Sequence, residues 1–275
     1  MFTFEGAQAK ELEQYYHDHY SRLSYIRDQV VHYTPPQSKV LDIGAKPFVL
    51  SYQLLQLGYD YTGIGVSGQE KDLRLDQTLA CSTGPTKNAH FNVTLIDEKD
   101  EKEKHWSVPM HEVNIEMNAW PFEKGTFDTL VWTETLEHLT CDPSFAWHEA
   151  NKSLKLNGIL LFSVPSALYW VRAIQLLLGK NIDDPYSWHG PFGRHNRLYT
   201  LKEIKVLAKS HGFEVVKIDT MTFTPDKQSL LKRIAYKFIT AIGKLTGKRK
   251  GKTIVAVLQK KEESKGPNRP HFLYH

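Results

Sequence analysis

Between Glu116 and Pro165 the chain reads EMNAWPFEKGTFDTLVWTETLEHLTCDPSFAWHEANKSLKLNGILLFSVP, and this pattern leaves few architectures open. A Trp-Pro-Phe loop leads into the apolar run Phe127 to Trp132, whose Thr129, Val131 and Trp132 predict a strand. The run stops at a polar crest of Thr133, Glu134, Thr135, Glu137 and His138. Asp142-Pro143 then opens an amphipathic segment that runs to Leu156. Asn157-Gly158 closes that helix, and Ile159 to Val164 predicts a second buried strand. A strand, a helix and a strand joined by a right-handed crossover make the two strands parallel. Ligands of an open parallel sheet sit beyond the carboxyl ends of its strands, so the chemistry is expected at the crest after Trp132.

The rest of the chain repeats the same alternation. Residues 5–33 predict a leading helix, with Leu12, Tyr15, Tyr16, His19, Leu23, Ile26 and Val30 at three- and four-residue steps. It ends at Thr34-Pro35-Pro36 and either packs over the sheet or covers a pocket. Lys39 to Ile43 predicts a buried strand, followed by a turn at Gly44, a helix over Val49 to Leu57 and a strand at Tyr61 to Val66. Such a first turn brings helix-end N–H groups up to a nucleotide. With one glycine, however, it also fits an ordinary strand-to-helix connection. A short strand is expected at Phe91 to Ile96 and a third sheet strand at His111 to Ile115. The region 67–108 reads as an insertion, either part of a substrate site or a solvated excursion.

After Pro165 the sequence predicts an apolar helix over Ser166 to Leu178. An aromatic loop follows, Asn181 to Asn196, of the kind that forms lids. Trp170, Tyr186, Trp188 and Phe192 suit stacking on a sugar or aromatic acceptor, or packing within the loop. Arg197 and Tyr199 either bind an acidic group or brace the lid. Thr200 and Glu203 form a capping box for a helix ending at His211-Gly212, and Phe213 to Thr220 and Thr253 to Gln259 are strands. The expected fold is α/β, a doubly wound, mostly parallel seven-stranded sheet, with insertions at about 67–108, 166–199 and 226–250 forming a lid. It is divided as a helical segment (1–37), an α/β domain (38–260) and a tail (261–275).

Charge and cysteine content narrow the setting. The net charge of +4 is concentrated late in the chain. Residues 228–245 read as an amphipathic helix with Lys248, Arg249, Lys250 and Lys252 beyond it. This either packs on its own domain or makes a peripheral membrane contact through 228–252. Cys81 and Cys141 alone make no disulfide framework, and residues 1–20 show no basic head before an apolar run. Both features predict a cytoplasmic protein, with membrane contact at most peripheral.

Three stretches are similar to class I S-adenosylmethionine-dependent methyltransferases: VLDIGAKPFVLS (Val40 to Ser51), the run Asn114 to Leu139, and LKLNGILLFSVPS (Leu154 to Ser166). GRHNRLYTLKEI (Gly193 to Ile204) with His211 to Phe213 resembles bacterial methyltransferases of glycan and lipid-linked sugar pathways. The resemblance implies a cofactor site of Asp42, Gly44, Ala45, Gly65, Asn114, Ile115, Thr133 and Glu134. Asp42 and Gly44 would lie by the methionine end, Asn114 near the adenine, and Thr133 and Glu134 along the sulfonium side. Lys46 and Phe48 replace family glycines, and Phe48 is expected to crowd the loop. Gly65 stands where an acid binds the ribose, a charge-assisted contact of about 1.5–3 kcal/mol.

The crest permits two chemistries. If it forms one helical turn, Glu134, Glu137 and His138 share a face. With His195 they then make a divalent-metal set, a pattern similar to family branches acting on polyprenyl phenols and on the 2′-hydroxyl at RNA 3′ ends. Without metal, His138 or His195 takes a hydroxyl proton as general base, with Glu137 beside them. The leading expectation is therefore O-methylation of a sugar, glycolipid or other small acceptor. Metal-assisted RNA 2′-O-methylation and a non-catalytic binding protein on the same fold are the alternatives.

Overall fold

The structure is a computed structural model and describes residues 2–4, 9–46, 48–65, 87–97, 102–187, 190–223 and 251–274. The strands are β1 (Phe2–Phe4), β2 (Lys39–Ile43), β3 (Asp60–Gly65), β4 (Lys87–Asp97), β5 (Lys102–Glu112), β6 (Phe127–Thr133), β7 (Leu154–Pro165), β8 (Phe213–Met221) and β9 (Thr253–Lys260). The helices are α1 (Ala9–Tyr33), α2 (Val49–Gln56), α3 (Ser144–Ser153), α4 (Trp170–Leu177) and α5 (Leu201–Ser210). One sheet runs β1-β4-β5-β3-β2-β6-β7-β9-β8. Its seven strands from β5 to β8 are the expected doubly wound sheet: β5, β3, β2, β6 and β7 are parallel, and β9 and β8 close it antiparallel. The strand expected at Phe91 to Ile96 is the longer β4, which with β1 adds an antiparallel edge.

Three sequence boundaries shift, each for a tertiary reason. The third sheet strand occupies Lys102–Glu112 rather than His111 to Ile115, because pairing with β4 along its whole length draws it toward the amino end. It stops where Asn114 Oδ1 accepts the Glu116 N–H at 3.0 Å, a local turn that competes with the ladder. Helix α3 ends at Ser153, not at Asn157-Gly158. Leu154 already pairs with Phe127, and Asn157, at φ +63, sits inside β7 next to a register shift. Helix α4 begins only at Trp170, because Ser166 is held at the sheet, its N–H donating to the Lys252 carbonyl at 2.8 Å.

Two apolar layers sandwich the sheet. Trp132, Trp147 and Phe162, expected in the core, are buried with Ile204 and Leu207 under α3 and α5. On the other face Leu23, Ile26 and Val30 of α1 and Leu50 and Leu54 of α2 cover Val40 and Val131. α1 thus packs over the sheet, and its Tyr15 and Arg22 reach the crest end of the strands. The basic amphipathic segment read at 228–245, residues 67–86 and 98–101 of the insertion read at 67–108, and Trp188 lie outside the described residues; the rest of that insertion is β4 and the start of β5. No helix among the described residues is long and apolar enough to cross a membrane.

Candidate active site

The turn after β2 and the crest after β6 press against each other. Gly44 has φ +78, and a Cβ there would fall 2.2 Å from Thr135 Oγ1. Thr135 in turn donates its hydroxyl to the carbonyls of Ile43 (3.1 Å) and Thr133 (3.0 Å). The glycine is needed both for the left-handed backbone and for this approach. Between the two turns and the end of β5 opens a cavity of about 340 Å³, within the range of cofactor sites. Gly44, Ala45 and Lys46 form one wall, Gly65, Met110, Asn114, Ile115 and Glu116 another, and Glu134, Thr135, His138 and Leu139 the third. Tyr15 of α1 and Phe192 of the lid also line it.

Six of the eight expected cofactor positions therefore line this cavity. Asp42 does not: it is buried behind the wall, accepting a hydrogen bond from the Tyr61 hydroxyl at 2.8 Å. Burial pushes its carboxyl up to about 7, the Tyr61 bond opposing in part. Thr133 is the other exception, ending β6 outside the lining. Phe48 does not crowd the pocket, since φ +63 turns it onto the layer beneath α1 and α2. β3 ends at Gly65 in bare backbone, its carbonyl accepting from Val113 N–H, and a Cβ there would meet nothing closer than 3.5 Å.

The crest is not one helical turn with three residues on a face. Glu134 has φ +50, which breaks the periodicity. Its carboxylate turns to Arg22 of α1 (3.0 Å) and accepts from the Ser163 hydroxyl (2.8 Å). A short 3-10 turn, Leu136–His138, then carries Glu137 inward. Glu137 is 0% exposed, and neither carboxylate oxygen has a hydrogen-bond partner. Burial holds its pKa well above the ordinary value; the nearby Glu134 charge raises it further, while Arg22 opposes.

Two imidazoles converge on that carboxylate. His138 Nε2 lies 3.9 Å and His195 Nε2 4.0 Å from Glu137 Oε1, with ring centroids 5.0 Å apart. His138 Nδ1 is 2.9 Å from the Arg194 carbonyl, so it must donate there, leaving Nε2 with the lone pair. His195 Nδ1 sits 2.7 Å from Asp184 Oδ2, close enough for an ion pair but out of line for a hydrogen bond. Burial pulls both imidazoles down; the Arg194 carbonyl opposes this at His138 and Asp184 at His195. The lid is clamped on the crest, as Asn196 N–H donates to the Glu137 carbonyl at 2.7 Å and Asn196 Nδ2 to the His138 carbonyl at 2.9 Å.

The His138 lone pair, the His195 ring and a buried carboxylate brought together in this way call for a proton or a cation. Glu137, His138 and His195 each offer a ligand atom within 4.8 Å of the others, and oxygen and nitrogen donors of this kind suit a divalent ion. Glu134 does not belong to this set. Arg197 braces the lid, pairing with Glu203 at 2.8 Å and lying over the Tyr199 ring. Sequence reasoning missed Arg22, Glu116 and Asp184, and it gave Tyr15 and the crest's Thr135 no role of their own at the site. The seven-residue spacing of Tyr15 and Arg22 placed them on one face of α1, a usable signal; nothing local marked Asp184.

A family profile described as "Methyltransferase domain" matches residues 10–218. No curated protein matches the chain. Among solved structures, the chain is similar to an S-adenosylmethionine-dependent methyltransferase of Methanosarcina mazei (TM-score 0.51, 18% identity, 84% of this chain and 96% of that one). It is also similar to a Thermotoga maritima methyltransferase described as a possible histamine N-methyltransferase (TM-score 0.51, 16%, 92% and 95%). A third is a methyltransferase of Archaeoglobus fulgidus (TM-score 0.51, 12%, 90% and 99%).

Proposed function

The chain belongs to the methyltransferase-domain family of class I S-adenosylmethionine-dependent enzymes, and on that premise we propose that it O-methylates a hydroxyl of a sugar, glycolipid or other small acceptor. The observation carrying this reading is the His138 imidazole, its Nδ1 turned to the Arg194 carbonyl and its Nε2 free, beside His195 and lining a pocket of cofactor size. S-adenosylmethionine supplies an electrophilic methyl group when bound. Gly44, Ala45 and the Asn114–Glu116 turn would hold it, with Phe192 of the lid over the same cavity. With the cofactor in place, His138 or His195 would take the proton of the acceptor hydroxyl as that oxygen takes up the methyl group, S-adenosylhomocysteine being the leaving group. Burial lowers both imidazoles, which favours the neutral form able to take a proton at neutral pH.

The test couples calorimetry with an S-adenosylhomocysteine release assay across free sugars, polyprenyl-linked sugars and RNA oligonucleotides. His138→Ala is expected to lose turnover by about a hundredfold or more, with cofactor affinity nearly intact. Full turnover in that variant removes His138 from the mechanism. Absence of heat with millimolar cofactor in the wild type returns the chain to the non-catalytic binding reading.

The partnerless Glu137 carboxylate favours a second reading, in which Glu137, His138 and His195 hold a divalent cation that acidifies the acceptor hydroxyl. This is the form suited to an RNA 2′-hydroxyl. Titrating magnesium or manganese into wild type and Glu137→Gln decides it: heat lost in the variant supports the ion, and no heat in the wild type leaves the imidazole base alone.

A further inference from the structure

We infer that Arg172 of α4 grips an oxyanion, the phosphate or carboxylate of an anionic small acceptor, beside the imidazole pair. The guanidinium is half-buried, and its Nη1 donates to the Ser166 carbonyl just beyond β7. That is its one hydrogen bond from the head group among the described residues, and it forms no ion pair there. Arg22 and Arg197, by contrast, pair with Glu134 and Glu203. Nε and Nη2 of Arg172 share one edge of the guanidinium plane, and that edge is open. Two parallel N–H donors on such an edge match two oxygens of a phosphate or carboxylate. Taking a cation partly out of water without a partner costs stability, so the arrangement serves a ligand better than it serves folding.

Position ties this edge to the chemistry. Ser166, which holds Arg172, pairs with Tyr199 at the end of the lid, and Ala167 N–H donates to the Tyr199 carbonyl at 2.8 Å. The lid reaches Tyr199 directly from His195, and the N–H groups of Asn196 and Arg197 both donate to the Glu137 carbonyl. The guanidinium is thus anchored on the strand end that the imidazole-bearing lid crosses. The charges agree with this placement. Burial lowers both Arg172 and His195; Asp184 opposes at each, and Arg172 adds to the fall at His195.

The neighbouring carboxylate leaves the edge to a ligand. Asp184 Oδ2 accepts the His195 N–H at 3.2 Å and lies 2.7 Å from His195 Nδ1, so Asp184 serves the imidazole and not the guanidinium. An acceptor held at Nε and Nη2 presents its hydroxyl to the imidazoles, and His138 also lines the cofactor cavity. Sugar phosphates and uronic acids have this chemistry, hydroxyls and an oxyanion on one small ring. Their methylation rests on the transfer proposed above; the oxyanion binding does not.

Calorimetry with inorganic phosphate and transfer assays on matched acceptors test the inference. Phosphate is expected to give heat with the full chain, and Arg172→Ala to bind it at least about tenfold more weakly. Among a sugar phosphate, the matching uronic acid and the free sugar, wild type should favour a charged acceptor in kcat/KM. The ratio of charged to free sugar should fall at least about tenfold in Arg172→Ala. It should fall less in Arg172→Lys, which keeps the charge but loses the fork. Where the uronic acid is favoured over the phosphate, the oxyanion is a carboxylate and the inference stands. Should the alanine variant fail to fold, Arg172→Gln takes its place, because its amide can still donate to the Ser166 carbonyl. No phosphate heat in the wild type, heat unchanged by the substitution, or equal ratios in wild type and variant each overturn the proposal. An RNA oligonucleotide favoured over every sugar assigns the edge to a phosphodiester and also overturns it. Phosphate binding lost in the variant, with no heat from S-adenosylmethionine in the wild type, keeps the subsite and removes only the methyl-transfer reading.

Discussion

Gly44→Ala tests how tightly the two turns of the pocket are matched. An alanine at φ +78 costs about 1–2 kcal/mol in the left-handed region. Its Cβ would also lie 2.2 Å from Thr135 Oγ1 and 2.6 Å from Cγ2, so Thr135 must rotate and give up its bonds to Ile43 and Thr133, worth about 1 kcal/mol. The expected loss is therefore about 2–3 kcal/mol, which lowers Tm by roughly 5–10 °C in a domain of this size. Thr135→Ala removes the two nearest atoms and leaves only the Cβ, at 2.9 Å. In urea unfolding, the Gly44→Ala/Thr135→Ala double variant should thus be more stable than the summed single losses by about 1 kcal/mol. The backbone strain stays in both. Additivity of the two losses, or an alanine at 44 as stable as glycine, would refute the close-approach account of this turn.

Asp42 gives a pH prediction whose sign follows from its raised carboxyl. Its folded pKa is about 7 against 3.8 when exposed, so its contribution is complete below about pH 4 and is lost as pH rises through about 7. The size is on the order of 4 kcal/mol. Asp42→Asn should flatten that fall, and equal pH slopes for wild type and variant in urea unfolding would contradict it. Arg22→Met strands the Glu134 carboxylate, whose side chain is 16% exposed. A loss of about 3 kcal/mol is expected in thermal unfolding, partly recovered in Arg22→Met/Glu134→Gln. If the double variant is no better than the single, the pair contributes nothing through its charge.

Much of the fold was legible because its signals are local. The capping box at Thr200 and Glu203 appears as read, with Glu203 N–H donating to Thr200 Oγ1 and Thr200 N–H to Glu203 Oε2. The parallel pairing of β6 and β7 around α3 likewise follows from apolar runs and a crossover rule. Boundaries slipped where a long-range ladder overrode a turn signal. Asn157-Gly158 is a sound helix stop in isolation, but Leu154 already pairs with Phe127.

The candidate site divides along the same line. Periodicity and turn chemistry, which act within a few residues, were enough to point to the carboxyl rim at the crest, but the need for glycine at 44 shows only once Thr135 is packed against it. They could not show that Glu134 turns away to Arg22, more than a hundred positions earlier, while His195 swings in to meet Glu137 beside Asp184. Nor could they show that the apolar run around α4 stays on the surface. Those outcomes depend on which side chains the sheet and its covering helices bring together, and burial, charge pairing and the left-handed turn at Glu134 act only once the chain has closed on itself.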